Sequence, residues 1–176
     1  MLPISILGAS GRMGRNLIEA VVNDAQTQLH SATVRSSSSM LDVDAGELAG
    51  TGKLGIVLQT QAEVELEQCA VIIDFTLPEA VAANLEWAIT HNTPIVIGTT
   101  GLNAQQLAAL HAAAKHIPIV FAANYSVGVN LLIKLSQQAA KIMGDTADIE
   151  IIETHHRHKI DAPSGTALAL GEGIAK

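Results

Sequence analysis

Two stretches of the 176-residue chain hold residue types that could do chemistry. The first is "ETHHRHKIDAPSGTAL", residues 153–168, with three histidines, an arginine and a lysine in five consecutive positions; the whole chain has only ten Lys and Arg. Histidine gives and takes protons near neutral pH. Lys159 and a neighbouring histidine supply positive charge, and "PSGT" supplies hydroxyls and backbone N–H groups just ahead of a helical pattern at Ala167. Donors at a helix N-terminus bind anions, so this cluster suits a dicarboxylate; an exposed basic loop is the other reading. His-x-His alternation offers a metal two ligands and no clear third, short of what a zinc site takes. No metal is expected.

The second stretch is "ISILGASGRMGRNLIEAV", residues 4–21, in which Gly8-x-x-Gly11-x-x-Gly14 follows an apolar run and opens a helical pattern. Ser10 stands where the commoner G-x-G-x-x-G fingerprint has its second glycine. Gly8 permits the tight turn, Gly11 and Gly14 permit close backbone approach, and the helix N-terminus offers N–H groups to a pyrophosphate. The alternative is an ordinary strand–helix turn that happens to be rich in glycine. An NAD-selective site places a carboxylate on the ribose about 20 residues further on; here the second strand ends in Val34-Arg35-Ser36, and Asp24 falls too early. A guanidinium followed by hydroxyls suits a 2′-phosphate, with Arg12 as a second cation, which favours NADPH over NADH. A solvated Arg35 is the competing reading. "GTTGL" (98–102) and "AANYSVGVN" (122–130) each follow an apolar run and would approach the same crevice if those runs are strands of one sheet.

These loops need a scaffold. Apolar runs at residues 4–7, 32–34, 71–75, 94–97 and 117–121 alternate with helical spacing at 11–22, 79–91, around Leu107, Leu110 and Ala114, and from Ser126 to Gly144. Asn103 and Gln106 form a capping-box pattern; Leu132, Leu135, Ala139 and Ile142 share a face of the last helix. The alternation defines an α/β class, a doubly wound Rossmann-type parallel sheet. Residues 36–55 break the rhythm and read as a long loop at the ligand-binding edge. After Gly144, "ADIEI" alternates like a half-exposed strand with nothing following to pair it. The expected division is a dinucleotide-binding domain over 1–125 and, over 126–176, the incomplete start of an α+β substrate-binding and oligomerisation domain.

Composition narrows the partners. Hydrophobic residues make up 48% of the chain but aromatics only 2% (Phe75, Trp87, Phe121 and Tyr125), so Ile, Leu, Val and Ala must build the core. A net charge of −7 argues against nucleic acid. Cys69 is alone and reads as a structural thiol. "MLPISIL" has no basic leader region, and the uncharged residues 87–114 are broken by Pro94, Gly98 and Gly101. No membrane partner and a cytoplasmic location are therefore expected.

Taken in order, "GASGRMG", "DAGELAG", "IDFT", "VIGTTG", "FAANYSVGVN" and "ETHHRHKIDAPSGTA" resemble the 4-hydroxy-tetrahydrodipicolinate reductase (dihydrodipicolinate reductase) family of bacterial lysine and diaminopimelate synthesis, from residue 4 onward. The resemblance implies hydride transfer from NADH or NADPH to a cyclic imine dicarboxylate. It implies His155 as proton donor, Lys159 as assisting acid and substrate ligand, and His156, Ser164, Gly165 and Thr166 on the substrate carboxylates. It implies a cofactor held by Gly8, Ala9, Ser10, Gly11, Arg12, Met13, Arg35, Gly98, Thr99, Thr100, Ala122, Ala123, Asn124 and Tyr125. Val34 departs from the acidic residue that many members carry before the arginine, which weakens an NADH preference. Members are also longer and form homotetramers, so the resemblance implies a truncated chain that keeps its cofactor-domain structure but lacks normal turnover. A short-chain dehydrogenase would need Tyr-x-x-x-Lys, whereas Tyr125 is followed four positions on by Val129. A non-catalytic NAD(P)-binding or redox-sensing module is the remaining alternative.

Overall fold

The computed structural model describes residues 1–157, 159 and 162–175. It divides into two compact units, Met1–Phe121 and Ala122–Lys176, and each is described by itself.

The first unit is a six-stranded sheet in the order β3-β2-β1-β4-β5-β6. Its strands are β1 (Leu2–Leu7), β2 (Thr27–Thr33), β3 (Leu58–Gln59), β4 (Val71–Asp74), β5 (Ile95–Ile97) and β6 (Ile119–Phe121). Every pairing is parallel. The connections carry helices α1 (Arg12–Asn23), α2 (Ala45–Ala49), α3 (Pro78–Thr90) and α4 (Ala104–Ala113). Because side chains alternate along a strand, β1 feeds two cores. Ile4 and Ile6 join Ile18 and Val21 of α1; Leu7 joins Val81 and Leu85 of α3 and Leu110 of α4. Each fully buried Ile or Leu stabilises the fold by about 1.5–3 kcal/mol relative to exposure, which is how a core nearly free of aromatic rings suffices. Polar Ser5 is tolerated inside because its hydroxyl is paired with that of Ser31 at 2.8 Å.

Local chemistry sets most boundaries. Pro78 occupies the first turn of α3, where its missing N–H costs nothing. Asn103 accepts from the Gln106 N–H while the Gln106 side chain accepts from the Asn103 N–H, closing a capping box on α4. Inward packing on α4 runs through Leu110 and Ala113 rather than Ala114, which is exposed.

Residues 36–55 are not the plain loop expected from the sequence. They contain α2, and Leu58–Gln59 adds β3 to the sheet edge beside β2. The organiser is buried Asp44, whose carboxylate accepts from the backbone N–H groups of Gly46, Glu47, Leu54 and Gly55. The Leu54 donation is the largest cause holding this carboxyl below its ordinary value of 3.8, with Glu47, Gly55 and Gly46 adding to it against the opposing effect of burial. A folded-state value below the unfolded one contributes stability that is complete above the unfolded value and is lost as pH falls through the folded one. Asp44→Ala is therefore expected to lower the melting temperature by roughly 5 °C or more near neutral pH. Thermal melts of both proteins from about pH 6 down to about pH 3 should show that gap narrowing.

The second unit holds α5 (Val127–Met143) and α6 (Gly165–Ile174). Ser126 caps α5 by accepting from the Val129 N–H, and Gly144 ends it at φ +50°. The two helices approach closely where Gly173 faces Ile133 and Gln137. The face formed by Leu132, Leu135, Ala139 and Ile142 is exposed, Ile142 at 85%. The alternating "ADIEI" segment forms no strand, because among the described residues no neighbour pairs with it. Half-buried Cys69, in the first unit, directs its thiol to the Val71 carbonyl at 3.3 Å. Among the described residues no helix is long and apolar enough to cross a membrane.

Candidate functional site

Parallel strands bring their C-terminal ends to one edge of the sheet. The topology switches between β1 and β4, from which the chain winds outward in opposite directions. A crevice at such a switch point is where open α/β sheets bind ligands. The glycine loop lies on its β1 side. Gly8 sits at φ +66°, and a Cβ there would stand 2.9 Å from the Thr76 methyl carbon. The loop closes with the Gly11 N–H donating to the Gly8 carbonyl at 2.9 Å, and the Ala9 N–H donates to Thr33 of β2 at 2.9 Å. Gly14 lets α1 lie directly on this turn, since a Cβ would be 2.4 Å from the Gly8 carbonyl oxygen. Ala9 is buried, Ser10 half-buried, and Gly11, Arg12 and Met13 exposed. Gly11, the N-cap of α1, provides no side-chain acceptor, so the first-turn N–H groups remain available to an anionic ligand. The chemistry of a pyrophosphate cradle is met.

The β4 side is built by a polar network that residue patterns did not disclose. Fully buried Asp74 accepts from the Thr76 N–H at 2.8 Å, the Thr76 hydroxyl at 2.6 Å and the Asn84 amide at 2.8 Å. Gln61 donates to the Asn84 carbonyl oxygen at 2.8 Å. Thr76, fixed in this way, presents its methyl to Gly8 and accepts the Thr99 hydroxyl on its carbonyl at 3.0 Å. The Gly98 N–H meanwhile donates to the Asp74 carbonyl at 2.8 Å. A Cβ on Gly98 would lie 2.1 Å from the Phe75 ring. Residues 8–13, 75–77 and 98–100 are thus one assembly, with Thr99 buried and Thr100 exposed. The available signal was a carboxylate ending the apolar run "VIID".

Arg35 follows buried Val34 immediately after β2. Its side chain is exposed and forms no ion pair among the described residues, and its carbonyl accepts the Ser38 N–H at 2.9 Å in a turn.

The other predicted residues belong to the second unit. Ala122 and Asn124 are half-buried; Ala123 and Tyr125 are exposed. The Asn124 amide donates to the Thr166 hydroxyl at 3.2 Å, and its carbonyl oxygen accepts the Ser126 N–H at 2.7 Å. A residue expected near the cofactor therefore touches one expected near the substrate. Ser164 is buried and caps α6 by accepting the Ala167 N–H at 3.1 Å, with Gly165 and Thr166 in the first turn. The Ser164 N–H and hydroxyl both donate to Glu153, the former at 2.7 Å. Glu153 also faces His155, Nδ1 to Oε2 at 3.5 Å. Those Ser164 donations are the main cause holding the Glu153 carboxyl below its ordinary value, with the charges of His155 and Lys159 acting in the same direction. His156 is exposed; its carbonyl accepts the N–H of half-buried Lys159 at 3.1 Å. His158 and Asp161 of the same cluster lie outside the described residues. Residue type alone gives Glu153 no role, although it opens the densest polar motif of the chain.

Sheet order, helical crossovers and a glycine-lined switch point define a Rossmann-type α/β domain, followed here by a second unit. The family model described as dihydrodipicolinate reductase, N-terminus, matches residues 2–125, and that described as dihydrodipicolinate reductase, C-terminus, matches residues 128–176. The chain is 58% identical over 175 residues to the 4-hydroxy-tetrahydrodipicolinate reductase of Pseudoalteromonas atlantica and 57% identical over 172 residues to that of Alkalilimnicola ehrlichii. It covers 66% and 64% of their lengths, just under two thirds, while they cover 99% and 98% of it. A solved structure of dipicolinate-bound dihydrodipicolinate reductase from Paenisporosarcina sp. is similar with a TM-score of 0.74 at 28% identity, over 99% of this chain and 66% of that one. The chain belongs to the dihydrodipicolinate reductase family.

Proposed function

We propose that this chain is the cofactor-binding part, and the beginning of the substrate-binding part, of an enzyme that reduces 4-hydroxy-tetrahydrodipicolinate to tetrahydrodipicolinate with NADPH or NADH. On this reading residues 1–125 bind the dinucleotide and residues 126–176 open the substrate domain, an arrangement supported by the two family matches at 2–125 and 128–176. The observation that carries the reading is the coexistence of a glycine cradle at the β1/β4 switch with a histidine–lysine cluster beside a capped helix N-terminus. Reductases named as such among the relatives do not favour the redox-sensing alternative.

The bound dinucleotide supplies the hydride. Gly8, Ala9, Ser10, Gly11, Arg12 and Met13 would hold its pyrophosphate on the N-terminus of α1, with Gly98, Thr99 and Thr100 of the first unit, and Ala122, Ala123, Asn124 and Tyr125 of the second, as the further residues assigned to the cofactor. Lys159 and His156 provide positive charge for a dicarboxylate, and Gly165 and Thr166 bring α6 first-turn donors to it from a helix start capped by Ser164, whose own donors are engaged by Glu153. His155 donates the proton, with Lys159 assisting, so the acid half of the reduction comes from the second unit's own residues. The dipicolinate bound to the Paenisporosarcina enzyme is a planar relative of such a substrate, which supports the dicarboxylate assignment.

Cofactor choice rests on Arg35, exposed beside Val34 with no carboxylate to read a ribose 2′-hydroxyl. A guanidinium instead recognises a 2′-phosphate. Titration of the chain with each reduced cofactor, with and without pyridine-2,6-dicarboxylate, tests the reading by nicotinamide fluorescence or calorimetry. The expected outcome is tighter NADPH than NADH binding, with Arg35→Ala weakening NADPH by about 10-fold or more and NADH little. Tighter NADH binding would remove the NADPH preference; binding of neither would remove the cofactor assignment itself. The same reading expects a homotetramer and a cytoplasmic location for the enzyme.

A further inference from the structure

We propose that Glu153 is the positioning residue of the proton donor: its carboxylate holds His155 by Nδ1, leaves Nε2 as the atom that releases the proton, and ties this arrangement to the start of α6 through Ser164. The inference rests on the assignment of His155 as the acid. The geometry begins with the anchor. Ser164 is buried, and it grips both carboxylate oxygens, its N–H on Oε1 and its hydroxyl on Oε2. Two donors from one residue fix the plane of the carboxylate. The oxygen that receives the hydroxyl is also the one facing His155 Nδ1 at 3.5 Å.

An ionised carboxylate only accepts hydrogen bonds, and the donations from Ser164 keep Glu153 ionised. The imidazole beside it therefore keeps its Nδ1 proton in both of its states. During donation the Nε2–H bond breaks, its electron pair stays on Nε2 and the proton goes to the substrate. What remains is the neutral Nδ1–H tautomer, held against Glu153, and solvent returns the proton for the next turnover. A carboxylate behind a working histidine fixes tautomer and ring orientation in this way. Ser164 adds a second consequence, because the same hydroxyl that donates to Glu153 accepts the Ala167 N–H and caps α6. The acid and the anion-binding helix start are positioned by one side chain.

The test combines a spectroscopic and a kinetic readout. Nitrogen-15 NMR of histidine-labelled chain, at a pH where the His155 ring is neutral, is expected to find the Nδ1–H tautomer, the opposite of the preference of a free side chain in water. Glu153→Gln presents a carboxamide that can donate as well as accept, and is expected to return His155 to the Nε2–H form. In a version extended to the length of the relatives, the same substitution is expected to lower kcat by about 10- to 100-fold with little change in KM for the dicarboxylate. An Nε2–H tautomer in the unsubstituted chain overturns the proposal without any variant having to fold. So does a Glu153→Gln protein with unchanged tautomer and kcat. Loss of turnover in His155→Ala alongside an unaffected Glu153→Gln rejects the positioning role alone; full turnover in His155→Ala rejects the acid assignment, and this inference with it.

Discussion

Replacing His155 by alanine, in a version of the protein extended to the length of its relatives, is expected to lower kcat by about 10²- to 10⁴-fold and leave cofactor affinity unchanged. The separation follows from the proposed roles. His155 faces Glu153 in the unit spanning Ala122–Lys176, whereas the glycine cradle belongs to Met1–Phe121. On the proposed assignment, removing the imidazole takes away a proton that is transferred only as the substrate reacts, so the loss falls on kcat rather than on ground-state binding. Lys159→Ala is expected to lose activity through both kcat and KM, because on the proposed assignment its charge serves the dicarboxylate in the ground state as well. Steady-state kinetics with varied substrate, alongside direct cofactor titration, checks both. A His155→Ala enzyme that binds cofactor weakly and keeps its kcat would reverse the assignment.

Gly14→Ala is expected to weaken cofactor binding by at least about 100-fold, about 2.7 kcal/mol, and to lower the melting temperature by roughly 10 °C or more. The atoms a new Cβ would meet are the Gly8 carbonyl oxygen at 2.4 Å and the Ala9 Cα and carbonyl carbon at 2.6 and 2.7 Å. All three are backbone atoms, so no side chain can swing aside. Relief requires α1 to retreat from β1, which pulls Ile18 and Val21 out of their core and moves the first-turn N–H groups off the crevice. Gly11→Ala makes a graded comparison. Its Cβ would meet only the Gly8 carbonyl oxygen at 3.2 Å, so it should melt much closer to the unsubstituted chain while still hindering a ligand at the exposed loop. Calorimetric melts and cofactor titration of the two variants separate packing from access.

The legible parts of the sequence are those whose cause is local. Gly8, Gly11 and Gly14 announce a turn because the conformation and approach they permit belong to those residues. Asn103 with Gln106, and Ser126 with Gly144, bound their helices through bonds made within a few positions. Distance in sequence hid the rest. Asp44 folds its segment with N–H groups from Leu54 and Gly55, ten and eleven positions on, and no periodicity reports that. The two residues of β3 become a strand only because β2 lies beside them. "ADIEI" shows the converse, a strand pattern without a pairing partner among the described residues. At the site, residue type revealed the histidines, Lys159 and the "PSGT" donors. It could not reveal that Asp74 works through Asn84, or that Glu153 joins Ser164 to its near neighbour His155, since the Asp74–Asn84 and Glu153–Ser164 links close across ten and eleven residues.

The first of the six strands in sequence lies in the middle of the sheet. β1, residues 2–7, takes β2 on one edge and β4 on the other, with Ile4 opposite Val71 and Leu7 opposite Asp74. As the chain leaves the ribosome, the first edge can close once residues 27–33 have emerged. The second must wait for a loop of more than 60 residues to close, an entropic step that slows parallel sheets relative to hairpin-built ones. Until then Ile4, Ile6 and Leu7 form an apolar strand with an open edge, a template for pairing with the wrong chain. The arrangement that puts the topology switch at the β1/β4 boundary thus also leaves β1 with an open edge until β4 has been made, and the switch point comes into being only when that edge closes.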